Sequence, residues 1–448
     1  MGGAETTQHV VSGTGLVWIA VGILIATYVL IVTERMNRSI VALIGAGLMI
    51  AFGVLDQNEA IRGVDFNTIA LLTGMMILVS ISRRSGMFEY LAVWSAKKGR
   101  AQPWIMLLML SVTTAVLSAF LDNVTTVLLI APVPLVVARE LEVPPYPFLF
   151  AEVFASNIGG TATLIGDPPN IIIGSAAGLS FNDFVVHLTP VIVVVMAAQA
   201  LATHLIWGSS MQASEAARAR VMALDERSTI TDWPLLWSSL VVIGVVMVAF
   251  VLSKRLRLEP GTISLLGAAA LMLFHNIEHH REKEKQSQRV TETYNEVDWI
   301  TIFFFVGLFI VVHGLEVTGV LAFLADRLLA ATGGSFALTA YVILWASAFL
   351  SAIIDNIPYV AAMIPLIKAL GPSFGGSAAI TPLWWALSLG ACLGGNGTLI
   401  GASANLAVAG IAERNGIEFG FWTYTRHAFW LMLISVAICH VYLWLRYL

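Results

Sequence analysis

The sequence predicts an all-α polytopic membrane protein, and three observations carry that prediction. Composition is the first: 58% of the 448 residues are hydrophobic and only 12% charged, about half the charged share of a soluble domain, with a mean hydropathy of +0.84. Run length is the second. Residues 15–32 and 185–206 are nearly continuous apolar sequence, close to the roughly 20 residues a helix needs to cross a hydrocarbon core of about 30 Å, whereas barrel strands would alternate polar and apolar. The third is the placement of charge. Between Ala101 and Ala138 the only charged residue is Asp122, and between Leu328 and Ile367 it is Asp355, each followed by asparagine.

Taken in order, Met1 to Gln8 lacks the basic start of a cleavable signal, so residues 15–32 are expected to be a true span. Spans near 40–55 and 68–81 follow, then a basic amphipathic stretch over 83–100. A re-entrant hairpin is expected over 102–138 around Asp122, a Gly-interrupted broken helix over 148–177 and a span over 185–206. Residues 211–232 form a polar linker. The second half repeats the order, with spans over 235–252, 261–274 and 299–315, a hairpin over 336–370 around Asp355, a broken helix over 383–412 and a last span over 428–445. The expected total is about ten transmembrane helices plus two hairpins and two broken helices. Residues 275–295, with the run Arg281 to Lys285, read as a solvated loop or helix end.

The repetition extends to residue identity. Val64, Asp65, Thr68, Ile69, Gly74, Gly86, Asp122 and Asn123 find identical residues 233 positions on, and seven of the twelve positions from Gly159 to Asn170 match Gly394 to Asn405. Two repeats are therefore expected, 1–225 and 232–448. An odd number of crossings per half makes them inverted, the arrangement that puts a transporter's binding site where the repeats meet. Most of the 24 lysines and arginines fall in loops on one side, which the positive-inside rule makes cytoplasmic, leaving both termini outside.

An aspartate at bilayer depth costs about 2.5–3.5 kcal/mol even on insertion scales, so it is expected to face a cavity. Two short helices meeting at Asp122 and Asn123 would expose free backbone groups there, with Thr125 and Thr126 adding hydroxyls; Asp355 and Asn356 repeat the device. The Gly-rich breaks supply the other walls. Asn157, Gly159, Gly160, Thr161, Thr163 and Asn170 are expected to face a polar pocket from one side, and Gly394, Gly395, Asn396, Thr398, Ser403 and Asn405 from the other. These eighteen residues, counting both hairpin tips, are the candidate substrate and ion site, with Asp122 and Asp355 holding the coupling ion.

Asp167 has no counterpart, Ala402 standing in its place, and reads as a site residue or as a cap beside Pro168. Glu152, His313 and Glu316 lie near predicted span ends and are read as interfacial or paired. His275, His279 and His280 with Glu278 read as solvated rather than metal-binding. Cys392 and Cys439 lie in apolar segments, give neither a disulfide framework nor a thiolate cage, and leave no metal site expected.

At the segments 120–129, 157–170, 355–358 and 390–405 the chain resembles the ion transporter superfamily, in the branch that holds the arsenite efflux permeases and the melanosomal P protein. The resemblance covers nearly the whole chain. It implies a scaffold and a moving transport domain, two hairpins and two broken helices holding substrate between their tips, and elevator-type alternating access. It implies no enzyme activity, no cofactor beyond a coupling ion, H+ or alternatively Na+, and no nucleic acid. The implied partners are a lipid bilayer, the plasma (inner) membrane in a prokaryote, and a small inorganic solute or ion. A homodimer and a cytoplasmic ATPase partner, as for arsenite permeases, complete the set. In dicarboxylate-transporting relatives the hairpin tips read Ser-Asn-Thr; here Asp122 and Asp355 replace the serines, and a fixed carboxylate repels a dicarboxylate. Proton-coupled efflux of arsenite or antimonite is thus the leading expectation. A Na+/H+ antiporter, a carboxylate-type anion transporter or a channel on the same scaffold is the alternative. An intramembrane aspartyl protease is disfavoured, because its two carboxyls must share one proton at contact distance.

Overall fold

The computed structural model describes residues 13–33, 35–223, 225–277 and 283–448, and these contain helices and connections but no strand. Glu278, His279 and His280 of the expected solvated cluster lie outside the described residues.

The first half runs α1 (Gly13–Val32), α2 (Arg38–Ala51), the short α3 (Gln57–Gly63), α4 (Phe66–Arg83) and α5 (Met87–Lys98). The first hairpin is α6 (Pro103–Ser118), a turn at Asp122, and a return through α7 (Asn123–Ile130) and α8 (Pro132–Leu141). The first broken helix is α9 (Tyr146–Thr161) and α10 (Pro168–Ala177), followed by α11 (Phe181–His187) and α12 (Thr189–Trp207). A polar connection holding α13 (Glu215–Met222) leads to α14 (Trp233–Val251), α15 (Ser253–Leu256), α16 (Pro260–Asn276), the polar α17 (Lys283–Asn295), α18 (Trp299–Val317) and α19 (Val320–Ala331). The second hairpin is α20 (Phe336–Ser351) and α21 (Asn356–Leu370). The second broken helix is α22 (Thr381–Gly394) and α23 (Ser403–Arg414), and α24 (Phe421–Tyr447) ends the chain.

Eight of these segments are long and apolar enough to cross a membrane, or nine if α19 and α20, bent by 115°, count as one. Two of these eight, Asn123–Glu140 and Asn356–Phe374, are the returning arms of the hairpins, so six of the expected spans meet the length, and α2 with 14 residues and α16 with 17 fall short of it. Both are read from sequence as full spans, yet rise only about 21 and 25 Å at 1.5 Å per residue. The incoming hairpin arms α6 and α20, 16 residues each, reach about 24 Å, also short of the hydrocarbon thickness.

The two short helices are held by close packing. A Cβ on Gly74 of α4 would lie 2.6 Å from the Ser264 carbonyl carbon of α16, and one on Gly307 of α18 would lie 2.5 Å from the Ala42 carbonyl carbon of α2. The same backbone-to-backbone approach is thus made twice, by glycines that sequence comparison pairs, and only a residue without a side chain permits it.

Replacing either glycine with leucine is expected to cost at least about 1–3 kcal/mol through overpacking. Gly47→Ala, with nothing within 4 Å of its Cβ, is the neutral control. Melting in detergent followed by size-exclusion chromatography reads the difference, and a Gly307→Leu protein as stable as wild type would refute this packing argument.

Candidate functional site

Each broken helix leaves carbonyls without the amide of a following turn, and each closes them with one buried asparagine. Asn170 Nδ2 donates to the carbonyls of Thr161 (3.1 Å) and Thr163 (2.9 Å), and Asn405 Nδ2 donates to those of Gly395 and Thr398, both at 2.9 Å. The breaks are then laced together. Asn157 Nδ2 donates to Asn396 Oδ1 and Asn405 Oδ1, both at 2.9 Å, while Ser388 Oγ (2.6 Å) and the more distant Cys392 Sγ (3.6 Å) donate to Asn170 Oδ1.

The hairpins are seated on this core by hydroxyls and glycines. Ser118 of α6 donates to the Ser156 carbonyl and Ser351 of α20 to the Ala391 carbonyl, at 2.7 and 2.6 Å. Thr163 and Thr398 donate to the hairpin carbonyls of Ala119 and Ala352. Gly159 and Gly394 let the helices close, since a Cβ on either would fall 2.2 or 2.5 Å from the carbonyl oxygens of Ala115 and Ala348. Thr126 and Thr161 hydroxyls bond back to the carbonyls of Asp122 and Asn157.

Both hairpin tips converge on one carboxylate. Asn123 Nδ2 lies 3.0 Å from Asn157 Oδ1 and 3.2 Å from Asp167 Oδ1, and Asn356 Nδ2 reaches the same Asp167 oxygen at 3.4 Å. Asp167 is fully buried, and its Oδ2 has no partner. In front of it lies a cavity of about 370 Å³ lined by Asp122, Asn123, Thr125, Asp167, Asn356 and Ser403, with Arg38, Arg83, Glu296 and Asp298 at its border.

The paired aspartates are not equivalent in space. Asp122 Oδ1 accepts from the Thr125 amide at 2.8 Å, capping α7. Asp355 Oδ1 accepts from the Ile357 amide at 3.1 Å, while its Oδ2 accepts from Ser403 at 2.9 Å and faces Arg38 Nη1 at 3.4 Å. Arg38 also donates to Ser403 Oγ (3.0 Å) and Thr301 Oγ1 (2.9 Å), tying α2 and α18 to the second hairpin and second break.

Of the eighteen residues proposed from sequence, Asp122, Asn123, Thr125, Asn356 and Ser403 line this cavity, and Asp355 lines an adjoining one of about 310 Å³ with Arg38 and Ser403. Asn157, Asn170, Asn396 and Asn405 form the layer behind, and the glycines and remaining threonines pack the backbone. Asp167 and Arg38 are central to the geometry but absent from that set. Asp167 breaks the repeat, and that asymmetry is the signal for it; Arg38 sits among loop charges and gives no signal of its own. His313 and Glu316 are 3.1 Å apart, a pair as expected. Glu152 is neither interfacial nor paired: it is 1% exposed and neither oxygen has a partner.

A protein-family model described as "Citrate transporter" matches residues 28–390. The chain belongs to this family. It is similar to uncharacterised transporters of Mycobacterium bovis and Mycobacterium tuberculosis, each 45% identical over 433 residues, covering 96% of this chain and 98% of theirs. It is also 34% identical to the P protein of Mus musculus over 505 residues, covering 95% of this chain and 59% of that one. The crystal structure of the YdaH transporter of Alcanivorax borkumensis, at 14% identity, superposes with a TM-score of 0.56 over 96% of this chain and 97% of that one. The ion transporter superfamily resemblance therefore stands. This is an integral membrane transporter rather than an enzyme.

Asn157→Ala strips partners from Asn123, Asn396 and Asn405 at once. It is expected to destabilise the protein by about 2–4 kcal/mol, since buried polar groups left unpaired cost about 1–3 kcal/mol each. Asn157→Asp sets a carboxylate oxygen against the Asn396 and Asn405 acceptors and should be at least as destabilising as alanine in detergent melting; an Asn157→Asp protein as stable as wild type would refute the donor role.

Proposed function

We propose that this member of the citrate transporter family is a proton-coupled secondary transporter that exports undissociated arsenite or antimonite. The observation that carries the reading is the convergence of both hairpin-tip asparagines on Asp167 beside Asp122. Neutral amide donors, hydroxyls and two carboxylates share one buried cavity, a set suited to hydrogen-bonding a small uncharged solute while a carboxylate takes the coupling proton. Asp122 and Asp167 are the coupling groups of this reading. Asp355 is assigned a lesser role, because Arg38 already balances its charge. Arg83 and Glu296 line the cavity, and both lie at the side read from sequence as cytoplasmic, where export would begin. The two hairpins and two broken helices, laced as one body, would move together against the remaining helices.

A second reading, transport of a carboxylate-type anion, is favoured by the Arg38 guanidinium beside Ser403 and by the description of the family. The same assay separates the two. In everted vesicles an imposed proton gradient should drive accumulation of arsenite, and Asp122→Asn or Asp167→Asn should lower it at least about tenfold, equivalent to 1.4 kcal/mol, with Asp355→Asn milder. Accumulation of citrate in place of arsenite would establish the second reading. No arsenite uptake with or without the gradient would refute the first.

A further inference from the structure

Among the described residues outside the cavity, the carboxylate that the chain leaves least accommodated is Glu152. It lies well inside α9, one and a half turns before Asn157, with 1% of its surface exposed and both carboxylate oxygens unpartnered. Thr114 of α6 lies against it, and Ser111 shares the Thr114 face one turn away. Gln199 of α12 donates to the carbonyl of Ala151, next to Glu152, at 3.5 Å. Ser111 Oγ, Thr114 Oγ1 and Gln199 Oε1 are likewise buried without partners.

Among the described residues no cation is paired with this carboxylate; on α24, which meets α9 at Phe150 and Phe154, His427 sits at the Thr423 carbonyl and Arg426 is exposed. Helices α6, α7 and α22, which pack on α9, carry no charged residue, and the thiol of Cys392 on α22 is bonded to Asn170. On α12 the one ionisable group is His204, exposed and tilted against the Trp104 ring with ring centres 4.5 Å apart. On α8 and α23 the charged residues, Arg139, Glu140, Glu413 and Arg414, stand in the last turn, and Glu140 is paired with Arg220. Tyr146 of α9 itself donates to the Thr423 carbonyl.

We propose that Glu152 anchors a second monovalent-cation site, separate from the transport cavity, which takes one proton or one Na+ ion. A single negative charge sealed among helices requires one positive charge. The chain offers only neutral oxygens there, so that charge comes from solution. Hydroxyl and amide oxygens are hard donors that suit a proton or an alkali ion, and one carboxylate leaves a divalent ion half neutralised. The inference does not depend on which solute the cavity carries.

The test uses the full chain in nanodiscs, in the Asp122→Asn background so that the cavity contributes least. Equilibrium binding of radioactive Na+ and the infrared carbonyl band of a protonated carboxyl, with its shift in D2O, are measured with and without Glu152→Gln. One equivalent of Na+ per chain that Glu152→Gln abolishes, or a protonated-carboxyl band that it removes, carries the proposal and names the ion. Wild-type Glu152 protein showing neither signal would overturn it however the variant folds, as would signals that survive the substitution. Failure here leaves the vesicle result for arsenite standing, and arsenite failure leaves this site standing.

Discussion

The structure depends on one constraint: a helix that stops inside a membrane leaves carbonyls that no water can reach. Two asparagines meet it. Asn170 and Asn405 each bridge two such carbonyls across their own break, and the oxygen each has left over accepts from the opposite break. Closing each break and joining the two breaks are therefore done by the same side chains. The position of Asn157 follows from that joining, the position of Asn123 follows from Asn157, and the cavity wall follows from Asn123.

Near-identity in sequence does not give near-identity in surroundings. Asp122 and Asp355 occupy the same step of matching hairpins and both cap the returning helix, yet only Asp355 meets a guanidinium. Arg38 begins α2, whereas α16, which makes the corresponding glycine contact, begins at Pro260 and offers no cation. The asymmetry thus originates in the helices around the hairpins, where α2 begins on an arginine and α16 on a proline.

Much of the fold was legible because hydropathy and the repeat report on the same elements. Helices α20 and α21 together run from Phe336 to Leu370, and the breaks fall at 162–167 and 395–402. Span lengths were less legible. A run such as 40–55 continues to look apolar past Ala51, where α2 ends, because the turn that follows is apolar too. At the site, residue type was visible but depth was not. Asn170 and Asn405 look like ligands and serve as backbone caps, since an amide that can bind a solute can equally bind a carbonyl. Arg38 and Glu152 were illegible because proximity to a span end in sequence suggests solvent, whereas Arg38 opens α2 beside the second hairpin and Glu152 lies in the second turn of a helix that is buried from Pro147 onward.

Charge at the cavity limits what can enter it. Asp122, Asp167, Glu296 and Asp298 stand against Arg38 and Arg83, so the fully ionised cavity is net negative. Arg38 is already shared among Asp355, Ser403 and Thr301, which weakens its pull on a further anion. Asp167, whose Oδ1 accepts from both hairpin-tip asparagines, has its other oxygen unpartnered. Inside a low-dielectric bundle the attraction for a cation and the repulsion of an anion both grow well beyond their values in water. A neutral solute is indifferent to this field and a proton or Na+ is drawn by it. An anion entering the ionised cavity would be repelled until a cation bound, which would couple the two, whereas a neutral solute would meet no such barrier.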